Sequence, residues 1–249
     1  MLRAYGVSDQ GRIRTTNEDC FAVAEALQFC AVADGMGGHN AGEVAARLAV
    51  DSLLECLGEP PDALWPFGKD AGLSQAGNRV RTAIHLANLR VLEAAIGRAQ
   101  LAGMGTTVVA ALVEDGRLSV GHVGDSRLYL LANGRLRALT RDDSWTATLL
   151  AANPSVESSH RMRNALTNVV GSRAQTDVHL VEEALDGGEM LLLTTDGVHG
   201  TLDDARLERM MLERGDERDI AERIVAAALA HGSDDNCTAL VARYVPDQG

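Results

Sequence analysis

The sequence predicts an α+β fold in which antiparallel sheets carry helices on their faces. Three observations point there. Strand-like runs come in blocks, hairpin-type Asp-Gly and Asn-Gly pairs stand between and after them, and the helical patterns are grouped rather than alternating one for one with strands. A parallel sheet would need a crossover after every strand, and that alternation is missing.

Taken in order, Met1 to Asp19 is polar and predicts no regular element. The apolar runs Cys20 to Ala24 and Leu27 to Ala33 predict a strand pair. A glycine-rich turn at 35–38 follows. From Ala41 to Leu57, residues Ala45, Leu48, Ala49, Ser52, Leu53 and Cys56 fall on one face at helical spacing. Pro60, Pro61 and Pro66 break the chain before a second helical pattern from about Leu73 to Gln100. Three β-rich runs come next, Thr106 to Val113, Leu118 to Val123 and Arg127 to Leu131. Asp115-Gly116 and Asn133-Gly134 supply the hairpin signals. A short helical piece near Ser144 to Ala152 leads into Asn153 to Asn164, a polar stretch without period that reads as a mobile flap. Strands are predicted again at Val178 to Val181, Met190 to Thr195 and Cys237 to Val245, and helices at Ala205 to Glu213 and Asp219 to Ala230. There is no internal repeat, and residues 1–249 read as one domain.

Composition narrows the function. A formal net charge of −12 argues against nucleic acid or an anionic membrane as partner, because both select a positive surface. The acidic excess suits a protein that gathers divalent cations, and equally one that only stays soluble. No run approaches a membrane span, and no signal-peptide pattern opens the chain. The four cysteines are scattered without a CxxC pair and read as small buried hydrophobes. A cytoplasmic protein is expected.

Asp-Gly occurs at 34, 115, 186 and 196. At 115 and 186 the pair reads as a turn in which glycine supplies positive φ. Asp34 and Asp196 differ, because each ends a strongly apolar run, Phe29 to Ala33 and Met190 to Thr195. A carboxylate delivered to the end of a buried strand is costly unless it is paired or bound to metal. Around Asp34 the sequence Asp34-Gly35-Met36-Gly37-Gly38 lets main-chain groups approach a ligand, and Asp34 with the Gly35 carbonyl is a sensible donor set for a hard cation. Two further acidic clusters, Asn17-Glu18-Asp19 and Asp234-Asp235-Asn236, could by themselves be a solvated turn and a turn cap.

Their order along the chain is more specific than any one of them. Arg14 with Asn17-Glu18-Asp19, then Asp34-Gly35-Met36-Gly37-Gly38-His39, Gly105-Thr106-Thr107, Gly124-Asp125-Ser126-Arg127, Leu166-Thr167-Asn168 with Gly171, Thr195-Asp196-Gly197 and Asp235-Asn236-Cys237-Thr238 follow in series. The series resembles the metal-dependent serine/threonine protein phosphatases of the PPM (type 2C) family, in its compact bacterial form, over nearly the whole chain.

The resemblance implies a four-layer α-β-β-α sandwich, two antiparallel sheets flanked by helices, with a metal site at one edge. It implies two Mn²⁺ or Mg²⁺ ions bridged by Asp34, with Asp196 and Asp235 on one ion and the Gly35 carbonyl on the other. A third ion is implied at Asp125 and Asp196. Glu18 and Asp19 orient metal-bound waters, one of them in place to ligate directly, and Arg14 holds phosphate oxygens. The implied reaction is in-line attack on phosphorus by a metal-activated water. The substrates are phosphoserine and phosphothreonine on proteins, in opposition to a bacterial serine/threonine kinase, and the enzyme acts as a monomer. The alternative is a dedicated regulator, or an inactive relative that binds phosphoproteins. Two positions depart from the family pattern: Met36 stands where some members carry a histidine acid, and Asp143 where relatives commonly have histidine.

Overall fold

The structure, a computed structural model, describes residues 1–38, 41–60, 65–152 and 165–246. Two antiparallel sheets stack face to face with helices outside each. The first sheet runs β1-β11-β10-β7-β8, built from β1 (Leu2–Asp9), β7 (Arg127–Ala132), β8 (Arg135–Ala138), β10 (Met190–Thr194) and β11 (Cys237–Tyr244). The second runs β2-β3-β5-β6-β9, built from β2 (Asp19–Ala24), β3 (Phe29–Met36), β5 (Val108–Glu114), β6 (Arg117–Val123) and β9 (His179–Ala184), and β4 (Gly105–Thr106) pairs with the end of β3. The helices are α1 (Ala41–Gly58), α2 (Gln75–Ala95), α3 (Trp145–Ala152), α4 (Asp196–His199), α5 (Asp204–Leu212) and α6 (Glu217–Ala230).

Strand alternation sorts the apolar side chains into three interior layers. In β3, Phe29, Ala31 and Ala33 pack toward α1 and α2, whereas Cys30 and Val32 face the opposite sheet. In β10, Leu191 and Leu193 fill the space between the sheets while Met190 and Leu192 meet α5 and α6. These strands are therefore buried on both faces, which is why they read as unbroken apolar runs. Truncating Leu192, fully buried, to alanine costs about 2–5 kcal/mol. The predicted four-layer sandwich is what forms.

Element boundaries differ from expectation in several places; β3, for one, continues through Gly35 to Met36, into the stretch expected to be a glycine-rich turn. The polar opening contains an eight-residue strand, β1, paired antiparallel with β11 from Leu2↔Tyr244 to Asp9↔Cys237. It lies at the sheet edge with Leu2 its one fully buried side chain, so it lacks the apolar alternation that marks a strand. The second helix starts one residue after Ser74, whose hydroxyl caps the Gly77 amide, and it ends at Ala95 rather than Gln100, ahead of Gly97 at φ +71°. Arg135 to Ala138 forms β8 beyond the Asn133-Gly134 hairpin, mostly exposed and therefore without an apolar signature. The stretch 153–164, read as a flap, lies outside the described residues.

This topology collects one set of termini. β2 starts, β3 and β6 end, β7 starts, β10 ends and β11 starts at the same end of the sandwich, as the pairs Asp19↔Asp34, Val108↔Val123, Thr194↔Arg127 and Thr194↔Ala239 show.

Candidate functional site

The β2–β3 hairpin sets Asp19 directly opposite Asp34, two like charges on facing positions, an arrangement that costs stability unless something offsets it. Asp19 Oδ2 accepts hydrogen bonds from the hydroxyls of Thr195 (2.9 Å) and Thr238 (2.6 Å), both from the other sheet, while its Oδ1 is buried with no partner. Burial pushes the Asp19 carboxyl up to about 7 against the pull of those hydroxyls, with Asp196 and Asp235 adding to the rise. Asp34 is gripped through its backbone: its N–H donates to Thr107 Oγ1 (2.9 Å), and its carbonyl accepts from the Thr107 N–H (2.8 Å) and the Thr106 hydroxyl (2.9 Å). Its carboxyl is held well above the usual carboxylate range, first by burial and then by Asp19, Asp196, Asp125 and Asp235.

Gly35 and Gly42 let β3 run against the first turn of α1. A Cβ on Gly35 would stand 2.0 Å from the Gly42 carbonyl oxygen and 2.7 Å from that of Glu18, and one on Gly42 would stand 2.6 Å from Glu18 Oε1. Glu18 is folded into this junction. Its carbonyl accepts the Gly35 N–H (3.1 Å) and its carboxylate accepts a hydrogen bond from the Gly42 backbone. Burial raises the Glu18 carboxyl, and that hydrogen bond offsets part of the rise.

Asp196 follows β10 by two residues and opens α4, with Oδ1 buried and unpartnered. Burial and the Asp235 charge push it up to about 6, while Arg14 and a hydrogen bond with Asp34 act in the other direction. The Arg14 guanidinium meets Asp235 at 2.6 Å, half exposed at the rim. A single amide, Asn236, holds the loop that carries Arg14: Nδ2 donates to the carbonyls of Gln10 (2.8 Å) and Thr16 (2.9 Å), and Oδ1 accepts the Glu18 N–H (2.9 Å).

Asp125 lies in the turn between β6 and β7. With Asp142, Asp196, Asp234 and Asp235 it lines a cavity of about 490 Å³. Burial and the Asp196 charge push Asp125 up to about 7. Arg127 forks onto Asp142 through two 2.8 Å hydrogen bonds, so its charge is spent locally. His199 also lines the cavity, its Nδ1 lying 2.9 Å from Thr194 Oγ1; burial and then Arg127 bring it down to about 3, which makes it a neutral imidazole.

All the residues singled out in the sequence, Arg14, Glu18, Asp19, Asp34, Gly35, Asp125, Asp196 and Asp235, therefore meet at one end of the sandwich. The other two Asp-Gly pairs are turns, with Asp115 and Gly116 at φ +50° and +72° and Gly187 at φ +117°. Among the described residues no three His, Cys, Asp or Glu side chains converge closely enough to form a metal cage as they stand, and the Asp235 carboxylate is engaged by Arg14. The chemistry of the place nonetheless fits divalent cations. Two carboxylate oxygens are buried without partners, four carboxyls are pushed upward by one another and by burial, and oxygen is the donor type Mg²⁺ and Mn²⁺ take. The sequence did not single out the roles of Thr107, Thr195, Thr238 and Asn236. Each is a common polar residue whose only signal was its membership of the ordered motifs.

The model of the protein phosphatase 2C family matches residues 12–231. The serine/threonine protein phosphatase PstP of Mycobacterium tuberculosis is 32% identical over 249 residues, covering 98% of this chain. The chain spans 45% of that relative's length. The serine/threonine phosphatase stp of Listeria innocua is 31% identical over 240 residues, covering 94% of this chain and 92% of the relative. Among solved structures, the catalytic domain of PstP in complex with two manganese ions superposes with a TM-score of 0.84 at 29% identity, covering 98% of this chain and 99% of that one.

Proposed function

Because the chain belongs to the protein phosphatase 2C family, we propose that it is a metal-dependent protein phosphatase that hydrolyses phosphoserine and phosphothreonine. The observation that carries this reading is the cluster of Asp19, Asp34, Asp125, Asp196 and Asp235, half-buried together with two orphan carboxylate oxygens and Arg14 beside them. A cluster so costly to keep charged supports cation binding as its purpose.

Asp34, Asp196, Asp235 and the Gly35 carbonyl would hold two Mn²⁺ or Mg²⁺ ions, and Asp125 with Asp196 a third. Bound there, the ions supply Lewis acidity toward water and toward the phosphoryl oxygens. Asp19 is pinned through Oδ2 by Thr195 and Thr238 with its Oδ1 left without a partner, and Glu18 is pinned at the start of α1 by the Gly42 backbone. Arg14 takes phosphoryl oxygens with its planar fork, exchanging its contact with Asp235 for the phosphate. Met36 has no proton to give and His199 is held neutral, so the leaving alcohol takes its proton from water or from another acid of the site.

The same reading treats residues 1–249 as one domain working as a monomer in the cytoplasm on proteins phosphorylated by a serine/threonine kinase. The four free cysteines support the setting, and no helix among the described residues is long and apolar enough to cross a membrane. The test is phosphate release from phosphoserine and phosphothreonine peptides with Mn²⁺ and with chelator, beside nucleotides as competing substrates. Mn²⁺-dependent release from the peptides is expected, and its absence, or faster release from nucleotides, would sink the reading.

A further inference from the structure

His122 and His179 stand directly opposite each other on β6 and β9, a cross-strand pair whose side chains share one face of the sheet. Their rings stack with centroids 4.9 Å apart and planes 27° apart. Both line a second cavity of about 530 Å³, which shares only Asp142 with the acidic cavity.

The two rings are held differently. His122 is 3% exposed, and its Nδ1 is buried with no hydrogen-bond partner, the one imidazole nitrogen in that state among the described residues. A satisfied core histidine does not carry that cost. Burial, and then His179, bring the His122 ring down to about 4, so it is neutral and has an unshared electron pair to offer. His179 is half exposed, and its Nε2 lies 2.9 Å from Asp143 Oδ1. A carboxylate only accepts, so Nε2 carries the proton and the neutral ring keeps its lone pair on Nδ1. Histidines that ligate metals are set up in this way: one nitrogen donates to a carboxylate, which fixes the ring and makes the other nitrogen more basic. Asp143 is itself fixed, because its Oδ2 accepts the Gly124 N–H (3.0 Å) and the Asn168 Nδ2–H (2.8 Å).

We propose that His122 and His179 form a binding site for one borderline transition-metal ion, Zn²⁺ or Cu²⁺, through their Nδ1 atoms. Imidazole suits these ions, whereas Mg²⁺ and Mn²⁺ take oxygen, so the two kinds of ion sort between this pair and the carboxylate cluster. No third His, Cys, Asp or Glu joins the pair among the described residues, so water from the cavity completes the shell and the site stays open. Nitrogens at about 2.0–2.1 Å from a tetrahedral ion stand roughly 3.3 Å from each other, so the half-exposed His179 ring tilts toward His122 as the ion enters. Arg141, also on the cavity wall, is exposed and keeps its charge in solvent. β9 is the edge strand of its sheet, and an ion shared with β6 clamps it in place. The site stands whether or not the chain is a phosphatase.

The test uses the full chain, stripped with chelator and then saturated with Mg²⁺ to fill the oxygen sites. It is titrated with Cu²⁺ under electron paramagnetic resonance and with Zn²⁺ by calorimetry. One equivalent of Cu²⁺ split by two nitrogens is expected, together with a Zn²⁺ binding event. His179→Gln should leave at most one nitrogen and weaken Zn²⁺ by more than the roughly 10–100-fold that losing an outer partner of a ligand costs. His122→Ala should do the same, and if that variant fails to fold, His179→Gln decides the matter, because its ring is half exposed. A Cu²⁺ spectrum without nitrogen splitting would place the ion on oxygen and overturn the proposal. A two-nitrogen spectrum that survives His179→Gln would place it on other histidines and overturn it equally. Neither result bears on the phosphatase reading, which phosphate release tests separately.

Discussion

Replacing Asp125 by asparagine is expected to stabilise the metal-free fold and to destabilise the cation-loaded one. Burial, then the Asp196 charge, pushes the Asp125 carboxyl up to about 7 in the fold, against about 3.9 in an unfolded chain. Between those values the native state keeps a proton that the unfolded state has released. Its contribution to stability is therefore fully present below about pH 4 and is lost as pH rises through about 7, at roughly 1.4 kcal/mol per unit. Summed over about three units, the ionised carboxylate costs the metal-free protein about 4 kcal/mol at alkaline pH. Asparagine has nearly the same shape and does not titrate, so that slope disappears with it. In a chain of this size the difference corresponds to roughly 8–16 °C in Tm near pH 8, shrinking toward zero near pH 4. Thermal unfolding with chelator, followed by circular dichroism across that range, measures it, and repeating the scan with saturating Mn²⁺ should reverse the order of the two proteins. A gap between variant and parent that stays the same at acid and alkaline pH would refute the reasoning, because a pH-independent gain cannot come from a buried ionisation.

Asp196→Asn should lower Mn²⁺-dependent phosphopeptide hydrolysis by orders of magnitude with the circular dichroism spectrum unchanged; near-normal activity would contradict the assignment of its carboxylate to the cation site. Arg14→Ala should raise KM for phosphopeptides by about 10–100-fold, the worth of charged hydrogen bonds to phosphate, and Arg14→Lys should recover little of it because an ammonium lacks the planar fork. Gly35→Ala should destabilise by about 3 kcal/mol in urea unfolding, since its methyl would stand 2.0 Å from a backbone oxygen that cannot swing aside, and a parental midpoint would show that β3 and α1 can part.

The layers of the fold were legible because the strands buried on both faces, Phe29 to Ala33 and Met190 to Thr194, have no polar face to confuse the pattern. β1 was not, since seven of its eight residues stay partly exposed and its strand state is imposed by pairing with β11 rather than by its own pattern. At the site, the two Asp-Gly pairs expected at buried strands do stand at one, although Asp34 lies within β3 rather than at its end and Asp196 two residues beyond β10, and the other two make turns. At 35 and 197 the glycine is there to let another backbone come close, whereas at 116 and 187 it supplies positive φ. What sequence could not convey was which hydroxyl meets which carboxylate. Thr195 and Thr238 reach Asp19 across more than 170 residues of chain and from the other sheet, and no local spacing encodes that meeting. Asp143 likewise stood out only as an unusual residue, and its five hydrogen bonds reach four residues, Gly124, Thr167, Asn168 and His179, in three separate segments.

The Asn236 amide that gathers Gln10, Thr16 and Glu18 has a consequence for biosynthesis. It joins the loop after β1 to the residue that opens β11, so the loop bearing Arg14 has no such anchor, and Asp19 lacks its Thr238 hydroxyl, until β11 has left the ribosome. A nascent chain that has made Asp34 and Asp196 but not β11 therefore holds these carboxylates without the partners that set Asp19 and Arg14.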